Sequence, residues 1–510
     1  MFTEAELLTL PVSLRNKAEA LTAKLKLAEI KVAHLEIALR LQRIQMFGAG
    51  SEKLSDAQLE LLESEPGVAP KEIQFEAELP EKEKEAVNKI RRISTRGLGT
   101  LPPELPREEE IIACTEADCT CPNCQGKREV IGYETSERLD CIPAKYIVKV
   151  IKREKVACPK CEENGVTTAP MPPQIIPKGI ATNRVIVDVL ISKYEMHLPL
   201  YRQELQLSRE SGVNLSRQTM CDWMMQCGFL MQAVCREMTQ DLLGGGYIQA
   251  DETPIGVLSA EKKGSNHRGY LWEYSRPEGP VIFDYQNGRG REGPQKMLRN
   301  FRGILQTDDY SVYGKLKLAE MRHAACMAHV RRKFVEASQV DLDDKSVLRI
   351  VQQIGGLYAV ESQAKEQNLS CEQRKLLRQE RSAPIMAELK KAVIAMRQQV
   401  LPQSYAGKAC SYALGLWHKL EVYLSDGRVE IDNNACENAI RPVALGRKNW
   451  LHFGSKEAGP NIASILSVIE TCHRLKVPVR EYLLDVLPKL SSGNIRDVAS
   501  LTPMAWQKPS

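Results

Sequence analysis

Three acids stand where phosphoryl-transfer chemistry would need them. Asp251 lies in YIQADETP, at the expected end of a strand, and Asp308 lies in LQTDDY, at the end of a later strand. Glu437 lies in IDNNACENAIRPVAL, on an expected helix. Carboxylates at strand ends and on a facing helix can converge on one hard-cation site, where two magnesium ions would activate a nucleophile and stabilise a leaving oxygen. The competing reading is surface carboxylates and helix caps. Successive strand residues face opposite sides, so only one of Asp308 and Asp309 can face Asp251. Asp432, Asn433 and Asn434 read as cap and turn residues, so the helix should begin just before Ala435 with Glu437 in its first turn. Arg441, one turn further on, would hold either that carboxylate or a phosphate. Glu430 precedes the cap and is expected outside the pocket.

A second constellation is built from sulfur. Cys121-Pro-Asn-Cys124 and Cys158-Pro-Lys-Cys161 are two CxxC knuckles separated by 33 residues. Each puts two sulfurs on one tight turn, and two such turns complete a tetrahedral thiolate site that suits structural zinc. The strand-like spacer between them resembles a zinc ribbon, and Cys114, Cys119 and Cys141 lack a paired partner. Cys326-Met-Ala-His329 offers two further ligands, and a structural or hydrogen-bonding role is expected for it. The cations Arg331, Arg332, Lys333, Arg441, Arg447 and Lys448 cluster near the acids and are candidate phosphate contacts, which position DNA without reading bases. Trp450 and His452 would either stack on a displaced base or pack.

The 510-residue chain must position these groups with several domains, and its composition is that of ordinary globular protein. It has no apolar run long enough to span a membrane, and its acidic start does not read as a signal peptide. A cytoplasmic protein with reduced or metal-bound thiols is therefore expected. Charge is uneven: Ser51 to Ile90 carries eleven acids and five bases, a net of −6, so with an overall charge of +5 the rest of the chain carries +11. An acidic segment beside a basic body suits a polyanion binder.

Leu14, Ala18, Leu21, Leu25, Ala28, Val32, Leu35 and Leu39 form an a/d seam, predicting a coiled coil and self-association over 1–50. Residues 51–110 read as an acidic and then basic linker, and 111–172 as the zinc-binding domain. Over 173–240, YRQELQLSRESG is a short helix stopped at Gly212, Asn214-Leu215-Ser216 offers a cap, and RQTMCDWMMQC, starting at Arg217, is a second helix. That order follows helix-turn-helix grammar, which adds Arg217 to the candidate DNA contacts. Short runs rich in Ile, Val, Tyr and Trp over 241–335 predict strands, 336–425 predicts a helical insertion, 426–470 returns to the core, and 471–510 is a helical tail.

Phe47-Gly48, Ser51-Glu52-Lys53, the double CPxC knuckle, HLPLYRQE, LSRQTMCDWM, ADETP, LQTDDY, CMAHVRRKF, DNNACENAIRP and GRKNWLHFGS occur in the order that resembles transposases of the insertion-sequence-66 family. The resemblance implies a multidomain α+β protein: coiled coil, zinc ribbon-like domain, helix-turn-helix region, and a ribonuclease-H-like α/β core with an all-helical insertion. It implies a DDE transposase whose triad is Asp251, Asp308 and Glu437, holding two magnesium ions beside a structural zinc. The implied partners are the element's ends, target DNA, further copies of the chain and small accessory proteins of the same element, in a nucleoid-associated, prokaryotic setting. Two positions depart from the family pattern. Asp309 replaces the usual glycine and leaves a spare carboxylate, and Asn438 replaces the usual arginine. The alternative from another class is a non-enzymatic zinc and helix-turn-helix DNA-binding regulator, which accounts for the knuckles and the charge but not the acids. A metal-dependent nuclease that never rejoins strands would keep the acids and drop integration.

Overall fold

The computed structural model describes residues 146–157, 166–258, 266–316, 320–340, 345–493 and 496–508, with Arg107, Ile111 and Tyr133 as isolated positions. The expected coiled coil, the linker and all four knuckle cysteines lie outside the described residues. A small antiparallel pair, β1 (Lys155–Ala157) and β2 (Val166–Thr168), flanks the second knuckle. The helices α1 (Asn183–Tyr194), α2 (Leu200–Ser211) and α3 (Arg217–Gly244) follow. Gly212 ends α2 in the left-handed conformation, at φ 67°, and Ser216 caps α3 by accepting from the Thr219 amide. The second helix of the expected pair is far longer than its motif. Met220, Trp223, Met224, Cys227, Met231, Val234 and Met238 continue its buried stripe into the core, so α3 is also a main packing element.

The central sheet has the strands β3 (Tyr247–Leu258), β4 (Asn266–Ser275), β5 (Val281–Gln286), β6 (Gly303–Thr307) and β7 (Met321–Ala325). The short helix α4 (Glu292–Met297) joins β5 to β6. The strand order is β5-β4-β3-β6-β7. β3, β4 and β5 are antiparallel neighbours, whereas β6 and β7 run parallel to β3. One expectation is corrected here: Asp251 lies within β3, not at its end. The strand pairs with β6 only over 247–249, but β4 supports it as far as Leu258. Gly303 opens β6 with φ 139°, and a Cβ there would come within 2.1 Å of the Gly246 carbonyl oxygen.

A helical block follows: α5 (Met327–Val340), α6 (Lys345–Glu366), α7 (Cys371–Leu377), α8 (Ala383–Gln399) and α9 (Tyr405–Leu420). It has its own apolar cluster, including Phe334, Ile354, Leu357, Leu389 and Trp417, which reaches the sheet through Tyr247 and Ile304. A fully buried Arg378 bonds both carboxylate oxygens of Glu361 at 2.8 Å. The chain then returns through α10 (Asn434–Trp450), β8 (His452–Phe453, beside β3), α11 (Gly459–Arg474) and α12 (Val479–Ser492). α11 crosses the boundary expected near 470 because it is buried nearly all round. Its Ser467 and Thr471 hydroxyls accept from the Phe283 and Val281 amides at 2.8 and 3.0 Å, closing the exposed edge of β5. No described helix is long and apolar enough to cross a membrane.

Candidate functional site

The register of the sheet assembles the site. Gln249 on β3 pairs with Gln306 on β6, and their side chains are bonded at 3.0 Å. Two residues beyond this pair come Asp251, still within β3, and Asp308, just past the end of β6 and near enough for its charge to act on Asp251. Asp308 follows the last residue of β6, and its Oδ1 accepts the Tyr310 amide at 2.9 Å. Asp251 is half-buried and takes the Glu252 amide at 2.8 Å. Burial lifts its carboxyl from 3.8 to about 8; the Glu252 amide opposes the rise and the Asp308 charge adds to it.

A buried polar network fixes the segment leading into α10 against β3 and β6. Gln249 donates to the Asp432 carbonyl at 2.9 Å, and Gln306 donates to the Glu430 carbonyl at 2.8 Å. Tyr247 OH donates to Gln306 at 2.5 Å and accepts from the Glu430 amide. Asn433, fully buried, donates its side-chain amide to the Ala250 carbonyl, one residue before Asp251. Asn433 is the residue before α10, and Glu437 lies in the first turn of that helix. The turn is also clasped from below. Cys436, fully buried, donates to Glu273, the β4 residue paired with Asp251, and Arg474 donates to the Ala435 carbonyl at 3.0 Å.

The ion pairs of the Glu437 side chain are with α5. Its Oε1 lies 3.8 Å from His329 Nδ1, and its Oε2 lies 3.9 Å from Arg332. The ligand atoms of Cys326, His329 and Glu437 all fall within 4.8 Å of one another. Cys326 accepts the Asn433 amide at 3.3 Å. Burial pushes its thiol up to about 12, against the pull of the Asn433, His329 and Ala328 amides.

The neighbouring acids have other partners. Asp309 has φ 68°, a backbone region that favours glycine and that aspartate tolerates. Its carboxylate pairs with Lys419 and its amide donates to Thr307, so this spare carboxylate is already engaged. Glu430 bonds Arg374 at 2.6 and 2.8 Å, and Asp432 accepts the Asn434 amide.

The expected phosphate contacts differ in their surroundings. Arg217, Arg331 and Lys448 are exposed. Arg332 is exposed beside Glu437, and Lys333 lies over the Tyr412 ring at 4.8 Å. Arg441 lines a cleft with Asn438, Tyr194, Glu470 and His473. Arg447 is anchored to β3 through Thr253 and the Pro254 carbonyl. Trp450 stacks on Phe453, with ring centroids 5.8 Å apart. Sequence reasoning missed Arg289, which bonds the buried Glu252 carboxylate and lies 3.8 Å over the Tyr310 ring. Its only sequence signal was the NGRG turn after β5.

Two neighbouring carboxylates, one of them raised chiefly by burial and further by the charge of the other, suit a hard divalent cation as countercharge. Cys326 and His329 beside Glu437 make that corner of the site softer.

The comparisons with known proteins place the chain among transposases. The model described as "Transposase IS66 family" matches residues 178–461, more than half of the chain, and the protein belongs to that family. A "zinc-finger binding domain of transposase IS66" matches 118–162, which supports zinc binding there, and "Transposase C of IS166 homeodomain" matches 34–109. Among its relatives are three uncharacterized proteins of Sinorhizobium fredii (strain NBRC 101917 / NGR234). The one called y4jD is 32% identical over 434 residues, covering 82% of this chain and 83% of its own length. The one called y4qI is 32% identical over 493 residues, covering 92% and 88%, and y4hP is 29% identical, covering 80% and 77%.

Proposed function

We propose that the chain is a DDE transposase with a ribonuclease-H-like core that cuts the ends of an insertion sequence and joins them to target DNA. The observation that carries this reading is the latch of the segment before α10 onto β3 and β6 next to Asp251, with the Asp308 charge acting on that carboxyl. The strand order, three antiparallel strands extended by two parallel ones, supports the core assignment.

In this reading Asp251, Asp308 and Glu437 hold two magnesium ions, which supply an activated nucleophile and stabilisation of the leaving oxygen. The chain's own work is to hold those carboxylates and the DNA in register. Gln249, Gln306 and Asn433 fix the loop before α10. The clasp of Cys436, Glu273 and Arg474 fixes its first turn. Arg289, Arg331, Arg332 and Lys448 offer charge to phosphates along the path. Hydrolysis breaks the bond between phosphorus and the 3′ oxygen at each element end and leaves a 3′-hydroxyl. That hydroxyl then attacks a target phosphorus in line, and the target's own 3′ oxygen leaves. One phosphodiester replaces another, so joining needs no external energy source and no covalent protein intermediate.

Cys121, Cys124, Cys158 and Cys161 hold one structural zinc in this account, and the N-terminal seam brings copies together on two DNA ends. Replacing Glu437 by Gln keeps its shape and removes the charge that binds magnesium. The expected result is a variant that binds element ends with parental affinity and neither cleaves nor joins them. Near-parental cleavage by Glu437→Gln, with Glu430→Gln inactive, would move the third acid elsewhere.

A further inference from the structure

We infer that Cys326, His329 and Glu437 form a binding site for one zinc-class divalent cation, with water completing its coordination. The inference rests on the proposed function in sharing its third acid: Glu437 gives Oε1 to this ion and keeps Oε2 for the magnesium site. The binding itself does not depend on DNA chemistry.

The sulfur is prepared for an ion. Cys326 immediately precedes α5, so the first amides of that helix act on it, those of Ala328 and His329. A third amide, from Asn433 across the fold, donates to it at 3.3 Å. These amides oppose the burial that keeps the sulfur a thiol, and a bound cation would complete the change to the thiolate, the form that binds metal. What this buried sulfur lacks is a positive charge beside it.

The other two donors are left open toward one another. His329 Nδ1 and Glu437 Oε1 are both shielded from solvent, and neither has a hydrogen-bond partner. They stand 3.8 Å apart. That is too long for a direct hydrogen bond and short for a bridging water, whose two bonds of about 2.8 Å would hold the atoms roughly 4.5 Å apart. A cation with bonds of about 2.0–2.2 Å to each spans it. Arg332 approaches the other oxygen of Glu437, at 3.9 Å, and leaves Oε1 to the ion.

The donor set decides the chemical class. One sulfur, one imidazole nitrogen and one carboxylate oxygen suit zinc or cobalt, whereas magnesium and calcium select oxygen. His329 and Glu437 are each only partly buried, which gives an ion a path from solvent.

The test is metal content, read without DNA. The full chain and its variants are expressed in cobalt-supplemented medium, purified, and their cobalt counted per chain alongside the sulfur-to-cobalt absorption. The parent is expected to hold one ion more than Cys326→Ser and one more than His329→Ala. A Cys121→Ser, Cys158→Ser double variant should keep the extra ion. His329 is partly exposed, so its variant folds even where Cys326→Ser does not. Equal cobalt in the parent and folded His329→Ala would overturn the site. A chain that carries the extra ion but fails to cut or join DNA would instead count against the transposase reading.

Discussion

Replacing Asp251 by Asn should stabilise the magnesium-free protein while abolishing cleavage. Burial, with the Asp308 charge beside it, lifts the Asp251 carboxyl from 3.8 to about 8. The folded protein therefore keeps a proton that the unfolded chain releases above about pH 4. The stability that proton contributes is complete below the ordinary carboxyl value and is lost as pH rises through 8. Asparagine has no proton to lose, so the variant's advantage grows between pH 4 and 8 and then levels. The full shift corresponds to ~6 kcal/mol; screening at a half-buried group reduces this to ~2 kcal/mol. Thermal unfolding in magnesium-free buffer without chelator, which spares the zinc-binding region, measures it. At pH 8 the variant should melt roughly 2 °C above the parent, with a smaller gap at pH 5. A gap independent of pH, or a variant that is weaker at pH 8, would refute the reasoning.

Four further outcomes follow from the same geometry. Asp309→Gly, which restores a glycine at a left-handed backbone position, should keep cleavage within about threefold of the parent, whereas Asp308→Asn should abolish it. Arg378→Met leaves the buried Glu361 short of a partner and should cost ~3 kcal/mol, read as faster hydrogen exchange across α6 to α9. Gly303→Ala forces a methyl into the Gly246 carbonyl and should cost ~2 kcal/mol or more in denaturant unfolding. His473 is raised to about 9 by the nearby carboxylates of Glu470 and of Glu195, which follows α1. Its contribution is complete below pH 6.5 and lost as pH rises through 9. His473→Gln should remove ~1 kcal/mol of that pH-dependent stability, discounted because the side chain is well exposed.

The parts of the fold visible in the sequence were those written in local chemistry. YIQADETP, RGYLWEYS and PVIFDYQ are rich in β-branched and aromatic residues, and each became a strand of the sheet. Gly212 and Ser216 marked a helix end and a helix start because their backbone and hydroxyl roles depend on immediate neighbours. β7 was not legible, since MRHAA has little strand character and owes its form to parallel pairing with β6. The length of α3 was also hidden, because its later turns are held by α11, over two hundred residues away; Gln232 bonds Asn461 there. The site divides in the same way. Its acids could be named from their motifs, but the bonds from Gln249 to Asp432 and from Asn433 to Ala250 span 183 residues each. Likewise CxxH was plain in the sequence, whereas its nearness to Glu437 required both helices to be in place.

The central claim is tested most directly by strand transfer with pre-cut element ends, purified protein and magnesium. Ends carrying a 3′-hydroxyl should be joined to a target plasmid, and ends lacking that hydroxyl should not. Asp251→Asn, Asp308→Asn and Glu437→Gln should each bind the ends and give no joined product. Cleavage of ends without any joining by the parent protein would contradict the account, as would joining that survives loss of any of these three carboxylates.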